Sequence, residues 1–171
     1  MNQLIPWSFI RERTRLSWSE AALGYHKQWL GWNGAVELAC DRLSEGEDGP
    51  LVVELAGLSK AEAHCVGELL DKLAASPETD DASSSNTKWL YLRLAWLFEN
   101  REAVDDALEE VETIYADFDY PEDVAPFVRY MPVTDGYDPS AHSPAENQAR
   151  LIANWKSYLE RKAASYRTTS D

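Results

Sequence analysis

Between Glu99 and Asp123 the chain places eleven carboxylates: Glu99, Glu102, Asp105, Asp106, Glu109, Glu110, Glu112, Asp117, Asp119, Glu122 and Asp123. Only one base, Arg101, stands among them. Carboxylates held close together are the raw material of general acid–base catalysis and of divalent-cation binding. Asp117 and Asp119, which bracket Phe118 just before Pro121, are the pair best placed for a cation. The spacing of an EF-hand loop is missing, however, and in so acidic a run some carboxylates stand close by chance. Neither a metal site nor catalysis is expected from them.

Other chemistry is equally thin. His26, His64 and His142 are isolated. Cys40 and Cys65 fall in helical patterns, where buried free thiols are expected; His64 adjoins Cys65, but no second ligand pair follows at metal spacing. No glycine-rich phosphate loop, HExxH, GxSxG or CxxC occurs. The expectation is a protein that is not an enzyme and uses no cofactor.

Charge says more. The formal net charge is −14, and the stretch from Glu99 to Asp123 alone carries −10 of it. Such a chain lacks the cationic surface that neutralises phosphates, so direct nucleic-acid binding and anionic membranes are disfavoured. A basic partner is the natural complement. The N-terminus "MNQLIPWSFIRER" has no signal-peptide pattern, and the most apolar window, Trp89 to Phe98, is too short for a membrane span. A cytoplasmic protein is expected.

The elements that must position these groups are helical. With 171 residues, 44% apolar content and seven tryptophans, the chain has material for a sizeable core. Ser17-Trp-Ser-Glu20, Ser59-Lys-Ala-Glu62 and Ser143-Pro-Ala-Glu146 each fit a capping box ahead of an apolar stripe. The periodicity predicts helices near Trp7–Arg13, Ser17–Gln28, Asn33–Ser44, Ser59–Ala75, Thr87–Glu99, Arg101–Phe118 and Ser143–Ala164. Only "LVVEL" at Leu51–Leu55 has a β-like composition. The predicted fold is all-α: one compact bundle of about six to eight helices spanning 1–171, with a flexible loop at 76–87 and a proline-rich extended segment before the last helix. The Thr87–Glu99 helix is apolar nearly all round, so Trp89 and Trp96 are assigned to the core.

In the Arg101–Phe118 pattern, Val104, Leu108, Val111, Tyr115 and Phe118 form an inward seam. Asp105, Glu109 and Glu112 fall on one flank, and Asp106, Glu110 and Asp117 on or near the other. Asp105–Glu109 and Asp106–Glu110 are like-charged pairs four residues apart, which weaken an isolated helix by a few tenths of a kcal/mol per pair, roughly. Asp105, Asp106, Glu109, Glu110 and Glu112 are therefore the charged candidates for a partner-facing surface. Tyr120, Tyr130 and Tyr137 are the candidate anchors, because aromatic side chains supply affinity where charge supplies association rate. Pro121, Pro126 and Pro132 constrain the segment that follows, and Arg129 within it is expected to pair with Asp117 or Asp119.

"SWSEAALGY", "KWLYLRLAWLFENR", "VETIYADFDYPEDVAPFVRYMP" and the final Asn154-Trp…Tyr-Leu159 together resemble a bacterial family of small acidic helical proteins known only as a domain of unknown function. The resemblance spans most of the chain and is strongest from Lys88 to Pro132. The family looks similar to immunity proteins encoded beside polymorphic toxins, including contact-dependent growth inhibition systems. That implies a protein that is monomeric when free and forms a heterodimer with the C-terminal domain of its cognate toxin, a basic nuclease being the natural fit. The other reading is an intracellular adaptor or regulator that docks a basic protein with no toxin involved.

Overall fold

The computed structural model describes residues 4–75 and 82–168, with side chains described for 4–75 and 86–166. Eight α-helices account for most of it: α1 Trp7–Arg13, α2 Trp18–His26, α3 Trp32–Ser44, α4 Pro50–Ala56, α5 Val66–Ala74, α6 Ala82–Glu99, α7 Ala107–Asp117 and α8 Pro144–Thr168. Short 3₁₀ turns lie at Lys60–Cys65, Arg101–Ala103, Ala125–Phe127 and Pro139–Ala141. No strand occurs among the described residues, and the fold is all-α. The chain divides into two compact units, Met1–Trp89 and Leu90–Asp171, with the boundary inside α6.

In the first unit, α3 packs on α4 and α2 on α5. The Ser17 capping box forms in full: Ser17 Oγ accepts from the Glu20 N–H at 3.2 Å and the Glu20 carboxylate accepts from the Ser17 N–H at 2.9 Å. Glu20 goes further than a cap, because its side chain is wholly buried and takes a salt bridge from Lys88 Nζ at 2.8 Å. The indole N–H of Trp89 donates to the Glu20 carbonyl at 2.7 Å, and Trp29 packs on the same indole. Gly24 makes this seat available. A Cβ there would overlap the six-membered ring of Trp89, standing 2.6 Å from its Cε2. Arg42, also buried, donates to the Leu16 carbonyl and faces the Trp18 ring.

"LVVEL" is helical, not extended. Pro50 takes the first position of α4 after Gly49, and Val52 and Leu55, one helical turn apart, are the residues buried. The Ser59 start opens with a 3₁₀ turn before α5, and there the Glu62 carboxylate accepts from the Ser59 N–H at 3.0 Å. Cys40 is exposed and Cys65 half-buried, contrary to the buried thiols expected. Cys40 falls on the side of α3 away from its buried residues Ala35, Leu38 and Ala39. Of the expected loop at 76–87, residues 76–81 lie outside the described residues, and from Ala82 onward the chain is already helical.

The core of the second unit joins Leu90, Leu94 and Leu97 of α6 to Val111, Ile114 and Tyr115 of α7, to Val124, Phe127 and Val128, and to Trp155 and Tyr158 of α8. Phe127 stacks on Trp155 with the planes 8° apart, and Phe98 meets the same indole edge-on. Every residue of α6 from Trp89 to Ala95 is buried, Arg93 included; Trp96 is only half-buried. At Ser143 the hydroxyl accepts from the Glu146 N–H at 3.2 Å, while the Glu146 carboxylate engages His142 Nδ1 at 2.8 Å. No helix among the described residues is long and apolar enough to cross a membrane.

Replacing glycine by alanine inside a helix ordinarily stabilises by roughly 0.5–1 kcal/mol. For Gly24→Ala the sign should reverse, because the indole must move: we expect a loss of about 1–3 kcal/mol in urea denaturation. A gain in stability would show that Trp89 does not occupy this seat.

Candidate functional site

The predicted helix from Arg101 to Phe118 forms only from Ala107 to Asp117. Asp106 is its cap, accepting from the Glu109 N–H at 3.2 Å. The i,i+4 repulsion expected for Asp105–Glu109 and Asp106–Glu110 is therefore not met inside a helix. Glu109 and Glu110 instead occupy the first turn of α7, where the helix dipole favours negative charge. Leu108, Val111, Ile114 and Tyr115 are the buried face; Val104 and Phe118, at the two ends of the expected seam, are half-buried.

Arg129 does not pair with Asp117 or Asp119. Its Nη1 meets Asp106 Oδ2 and its Nε meets Glu112 Oε1, each at 2.9 Å. The reason is geometric. After α7 the chain doubles back, so Arg129 lies beside the N-terminal half of the helix, whereas Asp117 lies at the other end. Asp117 takes Arg93 Nη1 at 3.2 Å, and burial holds the Arg93 guanidinium below its usual pKa. Asp119 is exposed on left-handed backbone, φ 61°, and Tyr120 follows at φ 58°. Among the described residues no group of His, Cys, Asp and Glu gathers as a metal site would.

Of the five carboxylates put forward for a partner surface, Asp106 and Glu112 are thus engaged by Arg129. Asp105 and Glu109 are exposed, and Glu110 is half-buried. The Asp106 carboxyl is held below its ordinary pKa, first by the Glu109 N–H and then by Arg129.

The three tyrosines separate. Tyr120 and Tyr130 are each 58% exposed and both contact the buried Tyr115, whose ring lies 5.2 Å from Tyr120 and 6.2 Å from Tyr130. Partial desolvation, with Tyr115, Tyr120 and Glu112 nearby, raises the Tyr130 pKa. Tyr137 belongs elsewhere. It stacks on His142, lies under Arg150 at 4.2 Å and donates to Asn147 Oδ1 at 2.7 Å. Those bonds make Tyr137 an internal brace for the segment entering α8. The paired exposure of Tyr120 and Tyr130 had no periodic signal in the sequence, since it arises from the left-handed turn at one and the doubling back at the other.

The profile of a family described as uncharacterised proteins conserved in bacteria, DUF2247, matches residues 7–163. The chain belongs to this family. No curated protein and no solved structure matches it. The family match covers α1 through most of α8, and so includes both the Trp89 seat and the Tyr120–Tyr130 face.

Arg129→Ala should cost about 1 kcal/mol at neutral pH, since both of its partners are partly exposed. A depressed carboxylate stabilises the fold above its unfolded pKa, near ~3.9 for Asp, and loses that contribution as pH falls through the folded value. The Tm difference between the native chain and Arg129→Ala should therefore narrow below about pH 4. A difference that stays constant to strongly acid pH would contradict the pairing with Asp106.

Proposed function

We propose that the protein is an immunity protein, which binds the toxic domain of a delivered toxin through the face formed by Tyr120, Tyr130 and the acidic flank of α7. The observation that carries this reading is the pair of tyrosines, adjacent on Tyr115 and mostly exposed. Single exposed apolar residues are ordinary, but two large exposed rings packed on one buried tyrosine form a ready contact surface. Tyrosine suits such a surface because its ring is large, loses few rotamers and carries a polar tip. The left-handed backbone at Asp119 and Tyr120 supports the same reading. A non-glycine residue there costs of order 1–2 kcal/mol, and strain of this kind gathers at ligand-contacting sites.

Charge sets the partner's chemistry. Asp105 and Glu109 are exposed at the acidic flank of α7, and a nuclease surface built to hold phosphates would be drawn to them. A toxin domain of the nuclease kind would be such a basic partner, held in a heterodimer. Docking the tyrosines into the partner would bury the anchors while the carboxylates steer the encounter.

The experiment is co-purification with the C-terminal domain encoded by the adjacent reading frame, followed by affinity measurement. Tyr120→Ala/Tyr130→Ala should weaken the complex by roughly 100-fold, the usual scale for two anchors. Association should slow as salt is raised. No complex at micromolar concentration and low salt, or an affinity untouched by the double substitution, would sink the proposal.

A further inference from the structure

A cleft of about 1330 Å³ opens among the residues preceding α7, the segment from Glu122 to Pro139, and the first turns of α8. Neither Tyr120 nor Tyr130 lines it. Its walls are mixed. Val104, Leu108, Val128 and Leu151 supply apolar surface, and eight charged side chains, five acidic and three basic, stand among the polar ones.

The three arginines in the lining are all occupied by the protein itself. Arg101 lies over the Phe98 ring and donates to the Phe98 carbonyl at 2.7 Å. Arg129 spans Asp106 and Glu112. Arg150 pairs with Asp135 at 2.6 Å and covers Tyr137. On the acidic side, Asp106 and Asp135 are used in those pairs, while Glu102, Asp105 and Glu122 line the cleft as exposed carboxylates. The cleft therefore presents net negative charge to an incoming group.

A second, independent observation concerns Trp155. It lines the cleft, it is fully buried, and its indole N–H has no hydrogen-bond acceptor. Buried N–H groups are almost always paired, and one left open beside a cavity marks a place for an acceptor from outside. The volume exceeds that of an ordinary small-molecule pocket, roughly 300–1,000 Å³, and suits a length of chain.

We propose that this cleft receives an extended segment of a protein partner, with a lysine or arginine set against Glu102, Asp105 and Glu122. The indole is closed off in the free chain, so the side chains over it must shift for a main-chain carbonyl of that segment to accept the hydrogen bond from Trp155 Nε1. Its apolar side chains lie on Val104, Val128 and Leu151. The site excludes Tyr120 and Tyr130, shares Asp105 with the acidic flank beside them, and does not depend on a toxin being the partner.

The test is to pan a display library of linear peptides against the full chain and to repeat the selection on Glu102→Lys/Glu122→Lys, whose changes are at exposed positions. Selected peptides should be enriched in lysine and arginine and should bind the variant roughly tenfold or more weakly. In a heteronuclear NMR titration they should shift the indole N–H resonance of Trp155, assigned by its loss in Trp155→Phe. An absence of binders, binders without basic enrichment, binding unchanged in the charge-reversed variant, or an unmoved Trp155 indole signal would each overturn the proposal. Because no toxin enters this experiment, failure to find a toxin complex leaves its outcome intact.

Discussion

One guanidinium sets the geometry of the candidate face. Arg129 reaches Asp106, the cap of α7, and Glu112, six residues further along, and so ties the returning segment to the helix it has just left. Each exposed bond is worth little by itself, about 1 kcal/mol at most. The energy of the return comes from Phe127 and Val128, which bury among α7 and α8 residues at roughly 1.5–3 kcal/mol apiece. Arg129 supplies direction. With Val128 inward on extended backbone and Arg129 turned to the carboxylates, Tyr130 is left outward beside Tyr115 and Tyr120. The same bonds remove Asp106 and Glu112 from the outward charge, so the acidic surface is narrower than eleven carboxylates in sequence suggest.

Much of the fold was legible because helix signals are local. Ser17 with Glu20 formed the full box, and the run from Trp89 to Ala95, apolar but for Arg93, became the buried stretch of α6. Errors arose where a local pattern served a different local structure. "LVVEL" mimics a strand, yet a proline at the first helical position and burial of Val52 and Leu55 make it a helix. The Arg101–Phe118 periodicity ran on through Asp106, but an aspartate that accepts from the N–H three residues later starts a helix rather than continuing one. Tertiary partners were not legible. Arg129 was matched to Asp117 and Asp119, at the far end of the helix, and nothing in a one-dimensional pattern shows that the segment folds back on the beginning of α7.

The motifs that carry the family likeness acquire physical reasons. In "SWSEAALGY", Ser17 and Glu20 cap α2, Glu20 holds Lys88, and Gly24 admits the Trp89 ring. Removing Lys88 would leave the buried Glu20 carboxylate without its cation, at about 3–5 kcal/mol. Those residues maintain the first unit. The candidate site belongs to the second, where Tyr120 sits in a backbone conformation that few tyrosines adopt.

The most direct measurement is amide hydrogen exchange on the full chain, alone and with the basic toxin domain proposed as its partner. The account predicts new protection at 105–112 and 119–131, the flank of α7 and the two tyrosines, with the exchange of 4–75 unchanged. Protection confined to 4–75, with 105–131 exchanging as in the free chain, would contradict it.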